Sequence, residues 1–464
     1  MVFSYLIQAY TFFFERVTAL AILILQFYTE ISTTIIEAYI AINRPILDAI
    51  NSTSGLLFDI LLIITIFVSL FFLCISVIAL FSQPKKSIHR FNKQNVPFVT
   101  IQIPTYNEIA ALNCAKKCLR MNYPKDKYEI IIGDDSNDPS ISAKIDDFAR
   151  KNNILVTRRG KNIGFKPGNL NHMLQFSKGE IIAIFDSDFL PEKNFLKKIV
   201  APFQNDPTIG GVQARWEIYH PEKNKTSLLA SAVILGFHHV YLPFMKKIGG
   251  VSFLCGSGEA VRKDLLIQNG GWLSGSLTED IEYSLRLMKQ GYRIEYLEDY
   301  GVVGEVPYQP KDLYKQQMRW AYGVTKSILM HTPEIYKNAL LSYKEKFFIW
   351  FQGVGYVFSF LIFGLFVTGF ISFVSNEPAP IDLALFFTDF TRNVLLSSGI
   401  LVASFVGLVK TKLSKKILSA LAASFTIGLI VVMYVNTGVF KAITGKRMHW
   451  FMLNKMGNKK KISV

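Results

Sequence analysis

The 464-residue sequence has little charge, no internal repeat and no low-complexity segment. Charged residues make up 19% of the chain and hydrophobic residues 50%, and the mean hydropathy is +0.27. These values are high for a purely soluble protein and favour one large domain with a membrane region, or about two to three domains. The N-terminus lacks the basic region and the small-residue cleavage site of a signal peptide, so none is predicted.

Cysteine is also scarce, with 4 residues in the chain. This usage fits a reducing compartment. Cys114 and Cys118 lie one helical turn apart in a predicted helix, without a histidine or another cysteine nearby, so we expect no zinc site there. Packing in a hydrophobic core is the favoured interpretation.

Long apolar runs, by contrast, are abundant. Leu56–Phe81 contains Asp59 as its only charge and is long enough to cross about 30 Å of hydrocarbon. Phe347–Val374 is the second strong candidate span, and residues 393–409 and 417–440 are the third and fourth. The sequence therefore predicts an integral, multi-pass protein of the cell membrane.

Two further apolar segments are harder to interpret. Val17–Tyr28 is apolar but short for a span. Leu228–Phe244 is also short, and it contains His238 and His239. A buried or interface-lying helix is the favoured interpretation of this second segment.

The net charge of +16 is concentrated beside the apolar runs. The flanking basic residues are Lys85, Lys86, Arg90, Lys93, Lys410, Lys412, Lys415, Lys416, Lys441, Lys446, Arg447 and Lys459 to Lys461. Basic residues next to spans favour the cytoplasmic side, so residues 82–346 are predicted to be cytosolic, with membrane lipids as partners of the charge. No nucleic acid is expected, because no basic helix or aromatic-basic platform appears.

These patterns predict an order of regions along the chain. The regions are an N-terminal membrane region 1–96 with a strong span at about 55–82, a cytosolic domain 97–330, an interfacial helix 331–346, a C-terminal transmembrane region 347–440 and a basic cytosolic tail 441–464. Three spans after the cytosolic domain would place the basic tail outside, against the charge rule. Either one segment, such as Ile417–Phe440, is re-entrant, or the number of spans differs.

Within the cytosolic domain, strand-like and helix-like patterns alternate. The predicted strands are Phe98–Ile103, Tyr128–Gly133, Ile154–Thr157 and Ile181–Phe185, and the predicted helices are Ala110–Arg120, Ser140–Lys151 and Gly168–Phe176. Short apolar strands separated by helices predict an α/β fold. We expect a mostly parallel sheet with helices on both faces, inserted between transmembrane α-helices.

Polar motifs follow three of the predicted strands. Thr105-Tyr106-Asn107-Glu108 follows the first strand, Asp134-Asp135-Ser136 the second, and Asp186-Ser187-Asp188 the fourth. Ligands of such sheets collect at the carboxyl ends of the strands. The sequence therefore predicts one ligand site at this edge of the sheet.

The chemistry of these motifs suits a nucleotide diphosphate. Asp186 and Asp188 have the spacing to hold Mg²⁺ or Mn²⁺ on phosphate oxygens. An Asp-rich turn is the alternative, but Asp134 and Asp135 at another strand end favour a metal and nucleotide site. Lys166-Pro167-Gly168-Asn169 can place an ammonium near phosphate at the start of a helix, whose N–H groups also attract anions, although an ordinary loop-to-helix junction explains it equally well.

Later residues could complete a sugar transfer. Such a transfer needs a base for the acceptor hydroxyl, and both Glu279 and Asp280 open a predicted helix where plain capping is the alternative. Arg319 could pair with a diphosphate in a forked geometry that lysine does not match. Trp320 offers a flat apolar face for a sugar ring, unless it is simply a buried residue of a surface helix.

Together, Asp186-Ser187-Asp188, Thr278-Glu279-Asp280 and Gln316-Gln317-Met318-Arg319-Trp320 resemble the motifs of the inverting family-2 glycosyltransferases. Within that family they resemble the membrane-embedded synthases of cellulose, hyaluronan and mannan or glucomannan. The resemblance covers about residues 97–330 and implies a GT-A fold. It implies nucleotide-sugar binding by Thr105, Tyr106, Glu108, Asp134, Asp135, Lys166 and Asp186, a metal on Asp186 and Asp188, Asp280 as the base, and Gln316, Arg319 and Trp320 beside the acceptor and diphosphate.

Three further segments fit the resemblance. Phe253–Gly258 is similar to the acceptor segment of cellulose synthases, which implies that Cys255, Gly256 and Ser257 lie by the acceptor with Trp320. Val212–Trp216 is similar to a short segment of plant mannan synthases, which use GDP-mannose. His449 and Trp450 are expected in a cytosolic gating segment.

The resemblance implies a processive enzyme that extends a β-linked polysaccharide from a UDP- or GDP-sugar and translocates it, with a glycan as acceptor. The alternative is transfer of one or a few sugars to a lipid acceptor. A transporter or scaffold with a decayed transferase fold is disfavoured, because the donor and base residues are all present.

Overall fold

The computed structural model describes residues 2–376 and 382–458. The chain divides into two compact units, one formed by residues 1–64 and 364–386, the other by residues 65–363 and 387–464. The charged residues Lys459 to Lys461 lie outside the described residues.

The described residues form fifteen α-helices and seven strands. The helices are α1 (Val2–Phe81), α2 (Ala111–Leu119), α3 (Pro139–Asn152), α4 (Phe165–Leu174), α5 (Phe195–Asn205), α6 (Lys225–Gly236), α7 (Leu242–Lys247), α8 (Lys263–Gln268), α9 (Glu279–Lys289), α10 (Pro310–Lys337), α11 (Tyr343–Ser375), α12 (Leu383–Ser397), α13 (Gly399–Lys410), α14 (Ile417–Ser424) and α15 (Ile427–Ile443). The strands are β1 (Val99–Thr105), β2 (Tyr128–Asp134), β3 (Leu155–Thr157), β4 (Ile181–Ile184), β5 (Ile209–Ile218), β6 (Glu259–Arg262) and β7 (Arg293–Gly304).

The smaller unit pairs part of α1 with the end of α11. The Asn51 amide donates to the Ser372 carbonyl at 2.7 Å. Gly369 lies against the Phe58 ring, so close that an added Cβ would be 3.1 Å from it. The absence of a side chain at Gly369 therefore allows the two helices to approach closely.

The larger unit is built on a seven-stranded sheet with the order β3-β2-β1-β4-β6-β5-β7. β1 pairs in parallel with β2 and β4, β2 with β3, and β5 with β7, whereas β6 runs antiparallel between β4 and β5. This confirms the predicted mostly parallel sheet, and the strands lie within a few residues of their predicted bounds.

Side chains of the strands alternate between two hydrophobic cores, one on each face. Ile101 and Ala183 belong to the core that contains Cys114 and Cys118 of α2. Ile182 belongs to the other core, which also contains residues of α4 and α9. Alternation with a period of two places helices on both faces, as predicted, and the two cysteines pack in a core.

Within residues 2–376 and 382–458, three helices are long and apolar enough to cross a membrane, or up to five if each of two bent pairs counts as one span. The candidates are Glu15–Phe81, Lys225–Lys247 and Gly355–Ser375, with the pairs Leu383–Ser397/Gly399–Lys410 and Ser414–Ser424/Ile427–Ile443, each bent by 60°. In Lys225–Lys247, 78% of the apolar 18-residue stretch is buried inside the protein, which agrees with the expected buried helix. Val17–Tyr28 is part of the continuous helix α1 rather than a separate element.

The prediction of a single interfacial helix at residues 331–346 is wrong. α10 ends at Lys337, and α11 begins at Tyr343. The Asn338 side chain accepts from the Leu340 N–H, and Glu345 accepts from the Ser342 N–H, so polar side chains satisfy the backbone of a turn between the two helices.

Candidate active site

The polar motifs that follow β1, β2 and β4 meet at one edge of the sheet. Thr105 at the end of β1 is in register with Asp134 at the end of β2. β4 is the other neighbour of β1, and Asp186 and Asp188 follow it directly. The parallel pairing thus brings together residues that are distant in sequence.

A cavity of about 170 Å³ lies at this edge and collects most of the predicted site residues. The predicted residues that line it are Thr105, Tyr106, Glu108, Asp135, Lys166, Asp186, Asp188, Cys255, Gly256, Glu279, Asp280, Gln316, Arg319 and Trp320. Asp134 and Ser257 are the predicted residues outside this lining. Asp188, Asp280 and Arg319 therefore share one cavity, as a single transfer site requires.

Asp134 is turned into the protein. Its carboxylate accepts from the Arg158 guanidinium at 2.8 Å, the Ser142 hydroxyl at 2.7 Å and the Ser136 N–H at 3.0 Å. Burial raises the pKa of Asp134, but the hydrogen bonds from Ser136 and Ser142 outweigh it and hold the pKa below its usual value. Asp134 thus anchors the loop, and its neighbour Asp135 faces the cavity.

Ser257 has a similar supporting position. It is fully buried, and its hydroxyl accepts from the Asp186 N–H at 3.0 Å. This hydrogen bond fixes the backbone of the Asp186-Ser187-Asp188 turn. Ser257 holds an acidic residue in place and does not itself face the cavity.

Lys166 joins three walls of the cavity. Its ammonium lies 2.8 Å from the Asp186 carboxylate and 3.0 Å from the Glu279 carboxylate, and it donates to the Gly256 carbonyl at 2.5 Å. Burial lowers the pKa of Lys166, but the charges of Asp186 and Glu279 more than offset this and raise the pKa above its ordinary value. The ammonium therefore stays protonated. Although burial raises the pKa of Asp186, Lys166 and Lys455 bring it below the usual value, so this carboxylate is ionised.

Asp280 has the properties of a base poised near neutrality. It lies in the first turn of α9, and burial, followed by the neighbouring Glu279 charge, raises its pKa to about 7. Gly256, with φ of +85°, brings its backbone beside the carboxylate, where an added Cβ would be 3.3 Å from Asp280 Oδ2 and from Lys166 Nζ. Only glycine fits this approach without strain.

Glu259 was not predicted as a site residue. It is buried at the start of β6, and its Oε2 accepts from the Gly256 N–H at 2.7 Å and the Cys255 N–H at 3.0 Å. Burial and the nearby Asp280 raise its pKa to about 8. A single glutamate between Gly258 and Ala260 carries no sequence signal for this role, because its partners are backbone groups of its own turn.

The third group of residues comes from α10. Arg319 donates to the Leu277 carbonyl at 2.8 Å, which leaves the rest of its guanidinium toward the cavity. The Gln316 Oε1 atom is buried and has no hydrogen-bond partner among the described residues. Because a buried acceptor without a partner is costly, this oxygen is available for a ligand hydroxyl or N–H.

The C-terminal segment closes the cavity from another side. Trp450 stacks on Phe165 at a centroid distance of 6.4 Å and meets Tyr106 edge-on at 5.8 Å. Lys455 lies 2.7 Å from the Asp188 carboxylate and 3.0 Å from the Glu108 carboxylate. Burial lowers the pKa of Lys455, but Asp188 and Glu108 raise it more, so this half-buried lysine is a second cation in the site.

Lys455 was also missed from the sequence. The only signal was the position of His449 and Trp450 after a basic cluster, which suggested a gating segment without naming a contact. The structure brings Trp450 and Lys455 to the cavity lining.

The donor set fits a hard divalent cation. Asp186 and Asp188 supply carboxylate oxygens to the same cavity. No group of three or more histidine, cysteine, aspartate or glutamate side chains suited to a metal exists among the described residues. Mg²⁺ usually takes one or two carboxylates, substrate phosphates and water, so two aspartates match its usual coordination.

Comparison with known proteins identifies a family model and curated relatives that this chain resembles. The family model described as glycosyl transferase family group 2 matches residues 181–437, more than half of the chain. The probable glucomannan 4-beta-mannosyltransferase 15 of Arabidopsis thaliana is 30% identical over 269 residues, which cover 55% of this chain and 49% of that protein. The cellulose synthase catalytic subunit of Pseudomonas fluorescens is 28% identical over 249 residues, covering 52% of this chain and 33% of that protein. The chain thus spans about half or less of the length of these curated relatives.

A solved structure shares the fold. The mannosyltransferase PcManGT from Pyrobaculum calidifontis, in complex with GDP-Man and Mn²⁺, superposes with a TM-score of 0.53 over 78% of this chain and 99% of that one. Sequence identity is 17%, so the likeness concerns the fold. It agrees with the GT-A-like sheet expected from the resemblance.

Proposed function

The chain belongs to glycosyl transferase family group 2, and on that premise we propose that it is a membrane-bound, inverting glycosyltransferase that extends a β-linked polysaccharide from a nucleotide-sugar. The observation that carries this proposal is the shared cavity of Asp188, Asp280 and Arg319. The names of the curated relatives, a glucomannan mannosyltransferase and a cellulose synthase, support a hexose polymer as product.

In this proposal the donor diphosphate lies between the cations of the cavity. Lys166 and Arg319 face it from α4 and α10, and Lys455 faces it from the C-terminal segment. Thr105, Tyr106 and Asp135 at the strand ends would hold the nucleoside, as the family resemblance implies. Asp186 and Asp188 would hold Mg²⁺ or Mn²⁺, which neutralises charge on the leaving diphosphate when bound.

The reaction is a single displacement. The acceptor hydroxyl attacks the anomeric carbon while Asp280 takes the hydroxyl proton, and the bond between that carbon and the diphosphate oxygen breaks. The negative charge passes to the diphosphate, where Lys166 and Arg319 stabilise it. Attack from the face opposite the leaving group inverts the anomeric centre.

The acceptor would approach from a second cavity. This cavity measures about 260 Å³, and Cys255, Asp280 and Trp320 line it as well as the first one. Phe72 and Phe351 lie in its wall, beside segments from candidate membrane helices. Aromatic faces bind sugar rings through their apolar surfaces, so we propose that the growing glycan leaves through this cavity and between the spans.

The same wall supports one alternative. Much of the lining of the second cavity is aliphatic, including Val233, Ile234, Val324 and Ile400. An aliphatic surface also suits the hydrocarbon part of a lipid acceptor. Transfer of one or a few sugars to a membrane lipid is therefore the second candidate function.

The position of the C-terminal segment supports a cytosolic catalytic domain and tail. Trp450 and Lys455 line the cavity at the sheet edge, so in this proposal residues 441–458 of the tail lie on the same side of the membrane as the sheet. An even number of crossings must then follow the catalytic domain. The bent pair α14–α15 packs on α6 and α10 through Ala420 and Val439, which supports assigning it as re-entrant in the multi-pass topology.

A donor panel tests the proposal. Purified protein in detergent with Mn²⁺ and labelled UDP- and GDP-sugars should give a product that stays at the origin of a chromatogram. A short product that extracts into organic solvent would support the lipid-acceptor alternative. The absence of transfer from every donor would overturn both candidates.

A further inference from the structure

A third cavity lies at the end of α1, apart from the two cavities described above. Its volume is about 350 Å³, and its lining begins in the last turns of α1 and continues through the residues that follow Phe81. None of its lining residues lines the cavity at the sheet edge, of about 170 Å³, or the second cavity, of about 260 Å³. We call it the interfacial cavity, because it lies where a candidate membrane helix ends.

One wall of the interfacial cavity is apolar. Ile75, Ile78 and Ala79 of α1 face it, together with Val240 and Phe244 from the buried segment around α7. Ile78 is 37% exposed, so this apolar surface is not completed by the protein. A hydrocarbon chain would cover it.

The other wall is basic. Lys85, Arg215, Lys246, Lys247 and Lys410 line it, and Glu298 is the carboxylate in the lining. Five cations thus face one acidic group.

Two of these cations have partners of their own. Arg215 pairs with Glu217 at 2.7 Å, and Lys246 pairs with Glu295 at 2.7 Å. Lys85 and Lys247 are exposed and form no ion pair with another described residue. After these pairs are subtracted, three lysines remain against Glu298, so the cavity attracts an anion.

Lys410 fixes this basic wall at the ends of two helices. Its ammonium donates to the Ala79 and Ser82 carbonyls at 2.8 Å each, which ties the end of α13 to the end of α1. Both helices belong to candidate spans; Lys410 is the last residue of α13, and Lys85 follows the end of α1. Lipid phosphates lie at the ends of membrane-spanning helices, so a phosphate here would have its acyl chains directed along the apolar helix surface.

We propose that the interfacial cavity binds an anionic membrane lipid, with the lipid phosphate at Lys85, Lys247 and Lys410 and an acyl chain on Ile75, Ile78 and Phe244. The charge alone would suit any phosphate. The apolar wall distinguishes a lipid from free phosphate, because a free anion would leave Ile78 and Phe244 uncovered. This assignment is independent of the sugar transfer reaction.

Lipid retention by the purified full-length chain tests the proposal. The protein is exchanged from mixed micelles containing phosphatidylglycerol or phosphatidylcholine, and bound lipid is counted by native mass spectrometry without any sugar donor. We expect phosphatidylglycerol to be retained and phosphatidylcholine to be lost. The double variant Lys85→Gln/Lys247→Gln should bind phosphatidylglycerol roughly thirtyfold more weakly, because each lysine near anionic lipid contributes about a fivefold gain.

Two matched variants separate the cavity from general surface charge. Lys144→Gln/Lys178→Gln removes the same charge from exposed positions of the catalytic domain and should leave retention unchanged. Ile78→Trp keeps every charge but fills the apolar wall, and it should weaken retention. Equal loss in both lysine double variants, or full retention in Ile78→Trp, would overturn the proposal.

A final experiment distinguishes a lipid phosphate from free inorganic phosphate as the bound group. Inorganic phosphate at millimolar concentration should not displace phosphatidylglycerol, because it gains nothing from the apolar wall. Displacement by inorganic phosphate would overturn the lipid assignment in favour of a free-anion site. Donor turnover measured in parallel reports on the glycosyltransferase proposal, so failure of one does not imply failure of the other.

Discussion

Replacing Asp280 with asparagine tests the proposed base most directly. The substitution keeps the shape of the side chain and removes the carboxylate. Among the described residues, Asp280 forms no ion pair, whereas its neighbour Glu279 holds Lys166 at 3.0 Å. The Asp280→Asn variant should therefore bind the donor almost as the wild type does, while its chemical step is lost.

The expected magnitude follows from the role and environment of Asp280. Loss of a positioned general base lowers kcat by about 10²- to 10⁴-fold. Burial and Glu279 raise the pKa of Asp280 to about 7 in the wild type. The base acts in its ionised form, so the wild-type rate should fall about tenfold for each pH unit below 7 and level off above it.

As the pH rises from about 4 to 7, the contribution of Asp280 to the free energy of unfolding should fall while the activity rises. The folded-state pKa of Asp280 lies above the ordinary aspartate value of 3.8, so the folded protein binds this proton more tightly than the unfolded chain does. Ionisation of Asp280 therefore opposes folding increasingly as the pH rises from about 4 to 7. At pH 8 the Asp280→Asn variant should unfold at the same temperature as the wild type or a higher one.

The assay combines labelled-donor turnover, donor binding and thermal unfolding of the purified protein. Asp264→Asn is the matched control, because Asp264 is an exposed carboxylate in the first turn of α8. Wild-type turnover by the Asp280→Asn variant, or a wild-type rate that does not change between pH 5 and 8, would refute the assignment.

Other substitutions test separate parts of the site. Gly256→Ala places a side chain at φ of +85°, which costs about 1–3 kcal/mol in the free energy of unfolding by chemical denaturation and should also lower turnover. Glu259→Ala removes the acceptor of the Gly256 N–H and should lower the melting temperature, although the Cys255 N–H keeps the Gln213 oxygen at 2.7 Å; Glu259→Gln keeps an acceptor oxygen and should melt near the wild type. Lys455→Ala removes a charged hydrogen bond to Asp188, which is worth about 1.5–3 kcal/mol. Calorimetric titration without donor should therefore show that the variant binds Mn²⁺ roughly tenfold more tightly than the wild type does. Unchanged or weaker Mn²⁺ binding would contradict this. Trp320→Ala should reduce transfer to acceptor more than donor hydrolysis, and equal loss of both would argue against an acceptor platform.

Local pattern was sufficient for most of the sheet and its edge. Ile130, Ile131 and Ile132 are a buried apolar run in β2, and such runs between polar turns are characteristic of parallel strands. Because ligand sites of these sheets lie at the carboxyl ends, Thr105, Asp135 and Asp186 could be placed together before any coordinates were known.

The direction in which each side chain of those motifs points could not be predicted from local pattern. Asp134 and Asp135 are adjacent and chemically identical, yet one binds Arg158 inside the loop and the other lines the cavity. The choice depends on which guanidinium reaches each carboxylate after α3 and β3 have packed. Ser257 likewise turned out to support the Asp186 backbone.

The sequence by itself determined the alternating strands and helices, the acidic strand ends and the apolar runs, since each depends on residues near one another in the chain. Only the tertiary structure decided that Lys455 reaches Asp188, that Glu259 holds the Cys255–Gly256 turn, and that Trp450 lines the same cavity as the strand-end motifs. Periodicity describes which face a residue occupies, whereas these contacts depend on how distant segments pack, and no local pattern carries that information.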